Sequence, residues 1–138
     1  MSALDRYHDV VRDSLDKDGW RITHDPLRLS IEETNVKIDL GAEEILGAER
    51  DGRKIAVEIK SFLSASALSD FHVALGQYLN YEYVLEEKDP ERILYLAIPL
   101  DAYQDFFVGH FAQQMIRRHN FRIFVFNPRI KVIEKWID

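Results

Sequence analysis

Apolar positions recur at three- and four-residue spacing over Ala3 to Asp16, where Leu4, Tyr7, Val10, Val11 and Leu15 define one side of an amphipathic helix. Ser2 is placed to cap its start and Gly19 to stop it. The period then shortens. Trp20 and Ile22 predict a short strand, and an irregular connection through Pro26 carries the chain over Leu27 to Ile31. Val36, Ile38 and Leu40 alternate with Lys37 and Asp39, which predicts another strand. Ile45 to Glu49 and Ile55 to Lys60 flank Asp51-Gly52, the dipeptide favoured in two-residue hairpin turns. From Leu68 to Glu87 the helical period returns, with Leu68, Phe71, Leu75, Tyr78 and Leu79 on the expected buried stripe. Ile93 to Pro99 is a near-continuous apolar run, the pattern of a strand buried on both faces. Tyr103 to Arg118 reads as a helix interrupted or capped near Gly109, and Phe121 to Phe126 and Val132 to Ile137 as two closing strands. The order is helix, four strands, helix, strand, helix, strand, strand. It predicts an α/β domain with a mixed central β-sheet flanked by helices. No repeat, low-complexity tract or linker divides the 138 residues, so a single domain over 1–138 is expected.

Composition narrows the class. With 46% hydrophobic and 30% charged residues the chain has the balance of a folded globular domain. No apolar stretch approaches the roughly 18–20 residues that span a bilayer, and residues 1–20 lack the pattern of a signal peptide. A cytoplasmic protein without membrane contact is expected. The absence of cysteine removes disulfides, thiolate metal sites and cysteine nucleophiles. The five histidines show no paired metal-ligand spacing. A net charge of −6 argues against broad electrostatic binding of nucleic acid while leaving room for a local basic groove. Arg117, Arg118 and His119, with Arg122 and Arg129, offer phosphate contacts or a solvated helix end. Tyr78, Tyr81, Tyr83, Phe106, Phe107 and Phe111 are expected mostly in the core, some at an oligomer interface.

Candidate chemistry concentrates on one strand. Ile55, Val57 and Ile59 point to one face, Glu58 and Lys60 to the other. A carboxylate and an ammonium side by side on a core-facing strand call for a partner or a metal. The hairpin register sets Glu58 opposite Ile45 and Lys60 opposite Glu43, so Asp39 and Glu43 share their face. A straight ladder would set Asp39 opposite Ser64, roughly 13–20 Å from Lys60 and Glu58 at about 3.3 Å per residue. A bend at Gly41 would bring the carboxylates together. The alternative is that Glu58 and Lys60 are solvated positions, with Lys60 paired to Glu43.

Asp39 followed by Glu58-Ile59-Lys60 resembles the D…(D/E)xK signature of the restriction-endonuclease-like nucleases, and Gln77-Tyr78-Leu79-Asn80-Tyr81 matches the QxxxY pattern of their exonuclease branch. The segments VKIDLGAE, GRKIAVEIKSF, ALGQYLNY and VIEKWI are similar to the XisH family of excision-controlling factors, over essentially the whole chain. The resemblance implies a restriction-endonuclease-like core and hydrolysis of DNA phosphodiester bonds with Mg²⁺ or Mn²⁺. Asp39, Glu58 and the main-chain carbonyl of Ile59 would supply the hard oxygen ligands such a cation takes. Lys60 would orient or deprotonate the attacking water, or hold the phosphate. Gln77 would position the water or a phosphate oxygen, supported by Tyr81 one helical turn on. Asp5, His8 and Glu43 are further candidates. A second expectation is a non-catalytic accessory protein that guides a separate recombinase or binds a small companion protein. A homodimer would place basic strips from two subunits around one groove.

Overall fold

The structure, a computed structural model, describes residues 3–33, 36–39 and 45–138, with side chains over 7–33 and 45–138. Ser2, Gly41 and Glu43 therefore lie outside the described residues, as do the side chains of Asp5 and Asp39. Helix α1 spans Ala3–Lys17. It stops where the pattern predicts: Gly19 takes φ +91°, and the Trp20 N–H reaches back to the Leu15 carbonyl at 2.9 Å.

Five strands follow before the next helix, one more than the four predicted segments. They are β1 (Arg21–His24), β2 (Ser30–Glu33), β3 (Val36–Asp39), β4 (Ile45–Arg50) and β5 (Arg53–Ile59). After α2 (Ala67–Lys88) come β6 (Arg92–Pro99), a short helical segment α3 (Leu100–Ala102), a π-helical turn (Tyr103–Phe107), α4 (His110–His119), β7 (Ile123–Asn127) and β8 (Val132–Ile137). The expected Tyr103 to Arg118 helix is thus broken at Gly109, whose backbone N-caps α4. The main sheet runs β1-β4-β5-β6-β7-β8, and β5, β6 and β7 are parallel neighbours. Pairing is antiparallel at both edges, which makes the sheet mixed.

The hairpin register is the expected one. Ile45 faces Glu58 and Arg50 faces Arg53 across a turn in which Asp51 and Gly52 adopt φ 51° and 78°. Positive φ at both central residues is the type I′ geometry, whose twist matches that of the flanking strands. The straight ladder from β5 toward Asp39 does not form. The segment expected to be irregular supplies β2, and β3 pairs with it in a separate two-stranded sheet, setting Asp39 opposite Ser30.

Each face of the main sheet carries its own core. α2, the π-turn and α4 cover the face of Ile45, Ala56, Leu96 and Ile123. α1 covers the face of Leu46, Val57, Ile59, Ala97 and Phe124. Two right-handed crossovers stepping the same way across a parallel segment place both connecting helices on one face. The buried stripe of α2 is Phe71, Ala74, Tyr78, Tyr81, Val84 and Leu85. Leu68 and Leu79 are half exposed, contrary to expectation; of the aromatic residues, Tyr78, Tyr81 and Phe107 are buried while Tyr83 and Phe111 are half exposed. The helix is apolar on more than one side, so periodicity alone did not orient it.

Candidate functional site

Alternation along β5 places Ala56, Glu58 and Lys60 on the α2 face, with Val57 and Ile59 turned to α1. The registers set Glu58 between Ile45 of β4 and Leu96 of β6, and its side chain has no solvent exposure. A polar position within the apolar run Ile55 to Ile59 of β5 has thus been carried under the covering helix. Lys60 continues the pairing one residue past β5, its N–H donating to the Ala97 carbonyl at 3.0 Å. It is half-buried and lines a cleft of about 340 Å³ with Phe62, Leu63, Ser64, Asp70 and Val73. Since the Lys60 amide points toward β6, that of Ile59 points toward the β4 side, past Ile45 at the end of the described ladder.

Gln77 and Tyr81 lie one turn apart on the face that α2 turns to the sheet, and Tyr81 is fully packed into the core that includes Ile45, Ala56 and Leu96. The Gln77 side-chain oxygen is buried and accepts no hydrogen bond from the described residues. An uncompensated buried amide oxygen costs roughly 1–3 kcal/mol, so its retention calls for an explanation. Next to them Tyr78 ties α2 to the sheet. Its hydroxyl accepts from the Arg122 N–H at 3.2 Å and lies 3.4 Å from the Leu94 carbonyl. Burial raises the Tyr78 pKa, partly offset by Arg122, so the hydroxyl stays a donor and acceptor.

The remaining candidates divide. Asp39 closes β3, backbone to backbone with Ser30, three residues beyond Leu27, whose N–H bonds to the carbonyl of Ile45. The β2–β3 pair thereby returns the Asp39 backbone to the segment anchored beside the Glu58 register position. His8 Nε2 sits 2.8 Å from Asp25 Oδ1, and Arg12 holds the other carboxylate oxygen. This joins α1 to the β1–β2 connection. Arg117, Arg118 and Arg129 are exposed, while Arg122 stands 3.8 Å from Glu82.

Among the described residues no three His, Asp or Glu side chains group around a common point. The donors that are described, the Glu58 carboxylate, the Ile59 carbonyl and the Gln77 amide oxygen, are all hard oxygens, the kind that Mg²⁺ or Mn²⁺ takes. The donor set fits the cation in chemistry. Nothing in the residue pattern marks Phe62, a bulky residue in the left-handed region at φ +54°, because aromatic residues carry no preference for it.

A mixed sheet carrying Glu58 and Lys60 on one face, under a helix that presents Gln77 and Tyr81, defines an α/β protein with a candidate polar site at the end of its central strand. The family model described as XisH protein matches residues 1–134, and the chain belongs to that family. Two solved structures share the fold. An XisH family protein from Nostoc punctiforme PCC 73102 is 44% identical with a TM-score of 0.88, covering 97% of this chain and 100% of that one. A fdxN element excision controlling factor protein from Anabaena variabilis is 44% identical with a TM-score of 0.87, covering 97% and 99%. Among curated proteins there is no match. No helix of the described residues is long and apolar enough to cross a membrane.

Proposed function

We propose that this XisH-family protein is an excision-controlling factor that acts as a Mg²⁺- or Mn²⁺-dependent deoxyribonuclease of the restriction-endonuclease-like, PD-(D/E)xK class. The observation that carries the proposal is Glu58, buried on β5, and the half-buried Lys60 just past its end on the same side, with the buried Gln77 amide oxygen on the covering helix. Excision control is what the similar Anabaena variabilis protein is named for. Asp39, Glu58 and the Ile59 carbonyl would hold the cation. When bound, it supplies charge neutralisation on the phosphate and a more acidic water. Lys60 orients that water or the phosphate oxygen, and Gln77 accepts a hydrogen bond from the water. Tyr81 fixes the helix that carries Gln77. In the reaction the water oxygen bonds to phosphorus, the bond from phosphorus to the leaving nucleoside oxygen breaks, and the water's proton passes by way of Lys60 or solvent to that oxygen.

Supercoiled plasmid and linear DNA incubated with Mg²⁺ or Mn²⁺ test this directly. Hydrolysis is expected in the wild type and to fall about 100-fold or more in Lys60→Ala and Asp39→Ala. Equal inertness of wild type and variants with both metals would remove the catalytic role. The net charge of −6 favours a second function, that of a non-catalytic partner guiding a separate recombinase or binding a small companion protein. That partner role predicts the inert outcome. A cytoplasmic homodimer suits either function, and sedimentation of the purified protein checks the dimer.

A further inference from the structure

The cleft beside Lys60 differs in character from a phosphate-binding surface. Leu63 and Val73 are 45% and 54% exposed and line it with Phe62, so its walls are largely apolar, and its charged groups are the Lys60 ammonium and the Asp70 carboxylate. At about 340 Å³ it falls at the small end of the roughly 300–1,000 Å³ typical of small-molecule sites. A base paired and stacked inside a duplex cannot enter it without leaving the stack. The wall is also built at a cost. Phe62 holds φ +54°, a region that bulky side chains rarely adopt, and its ring is pinned edge-to-face on Phe107 at 5.1 Å. Phe107 belongs to the π-helical turn, so two backbone irregularities meet behind the cleft. The strained turn at Phe62 separates Lys60, held to β6, from Ser64, held to α2 where its N–H donates to Asp70 at 3.3 Å.

We infer that this cleft seats the base of one unpaired nucleotide of a DNA strand, against Leu63 and Val73, while Lys60 holds the adjoining phosphate. A base presents flat apolar faces and polar edges, which match apolar walls and the Asp70 carboxylate at the rim. The inference rests on the nuclease proposal and specifies its substrate: single strands, overhangs or frayed ends rather than continuous duplex.

The test is the fluorescence of a 12-nucleotide DNA carrying terminal 2-aminopurine, titrated with protein in EDTA as a single strand and as a blunt duplex. The single strand is expected to bind at least tenfold more tightly, and Leu63→Asn and Val73→Asn to weaken it by about tenfold each. Both side chains are half exposed, so these variants should fold, and circular dichroism checks that they do. Equal affinity for the two DNA forms, or variants that bind the single strand like the wild type, would overturn the inference. Hydrolysis assays with Mg²⁺ on the same DNAs separate the two proposals. Preserved, variant-sensitive binding with no hydrolysis counts against the nuclease and sustains the cleft assignment, whereas hydrolysis without strand preference does the reverse.

Discussion

A carboxylate with no solvent exposure, as at Glu58, is stable in a fold only through what surrounds it, because an isolated buried charge costs far more than the domain's net stability. At this scale alternation along one strand was readable: Glu58 and Lys60 share a face as the residue order requires. What lay beyond reading was the environment of each group. Tyr95 shows the same principle with a measurable consequence. Burial in the sheet, and then the hydrogen bond its hydroxyl donates to the Asp138 carboxylate, push its pKa up to about 12, against an ordinary value near 10. The folded state thus holds this proton more tightly than the unfolded chain. The resulting stabilisation is complete below about pH 10 and is lost as pH rises from 10 through 12. Tyr78, raised by burial, contributes in the same direction. We expect the urea midpoint to hold steady from pH 8 to 9.5 and to decline above pH 10, with a shallower decline in Tyr95→Phe. An unchanged slope in that variant would place the titration elsewhere.

Elements were legible where their signal is local. The I′ hairpin followed from Asp51-Gly52, and the stop of α1 from Gly19, since both depend on backbone conformations that few residues tolerate. β2 was not legible: four residues with one core-packed side chain, Ile31, leave no periodicity to detect. The orientation of α2 was misjudged for the opposite reason, an excess of apolar positions around the helix. Its start, however, is fixed locally. The Ser66 side chain accepts from the Ser69 N–H at 3.1 Å, capping a 22-residue helix just beyond the Lys60 cleft. Ser66→Ala should cost about 1 kcal/mol in denaturant unfolding, with Ser66→Asp restoring most of it. If Ser66→Ala left the midpoint unmoved, the hydroxyl would not be the cap.

At the scale of the whole molecule, the two cores pin a polar site between the central strand and α2, and the proposed cation would be bound only by the folded chain. Ligand that binds the native state alone adds stability by mass action. For a site with a dissociation constant of about 1 mM, 10 mM Mg²⁺ adds about 1.4 kcal/mol, or roughly 4–6 °C in melting temperature for a domain of this size. Glu58→Gln should abolish the rise, and differential scanning fluorimetry with Mg²⁺ against an equal ionic strength of NaCl checks it. A wild type that melts at the same temperature with and without Mg²⁺ would speak against the cation site. By itself the sequence determined the α/β class, the hairpin register and the face shared by Glu58 and Lys60. All three follow from short-range geometry: the two-residue period of a strand, the handedness of a two-residue turn and the burial of long apolar runs. Tertiary structure decided that β3 pairs with β2 rather than extending the main sheet. It also decided that Leu79 stays half exposed, and that a strained Phe62 shapes the cleft beside Lys60. Those outcomes depend on which distant surfaces meet, and packing between residues far apart in the chain leaves no period to read.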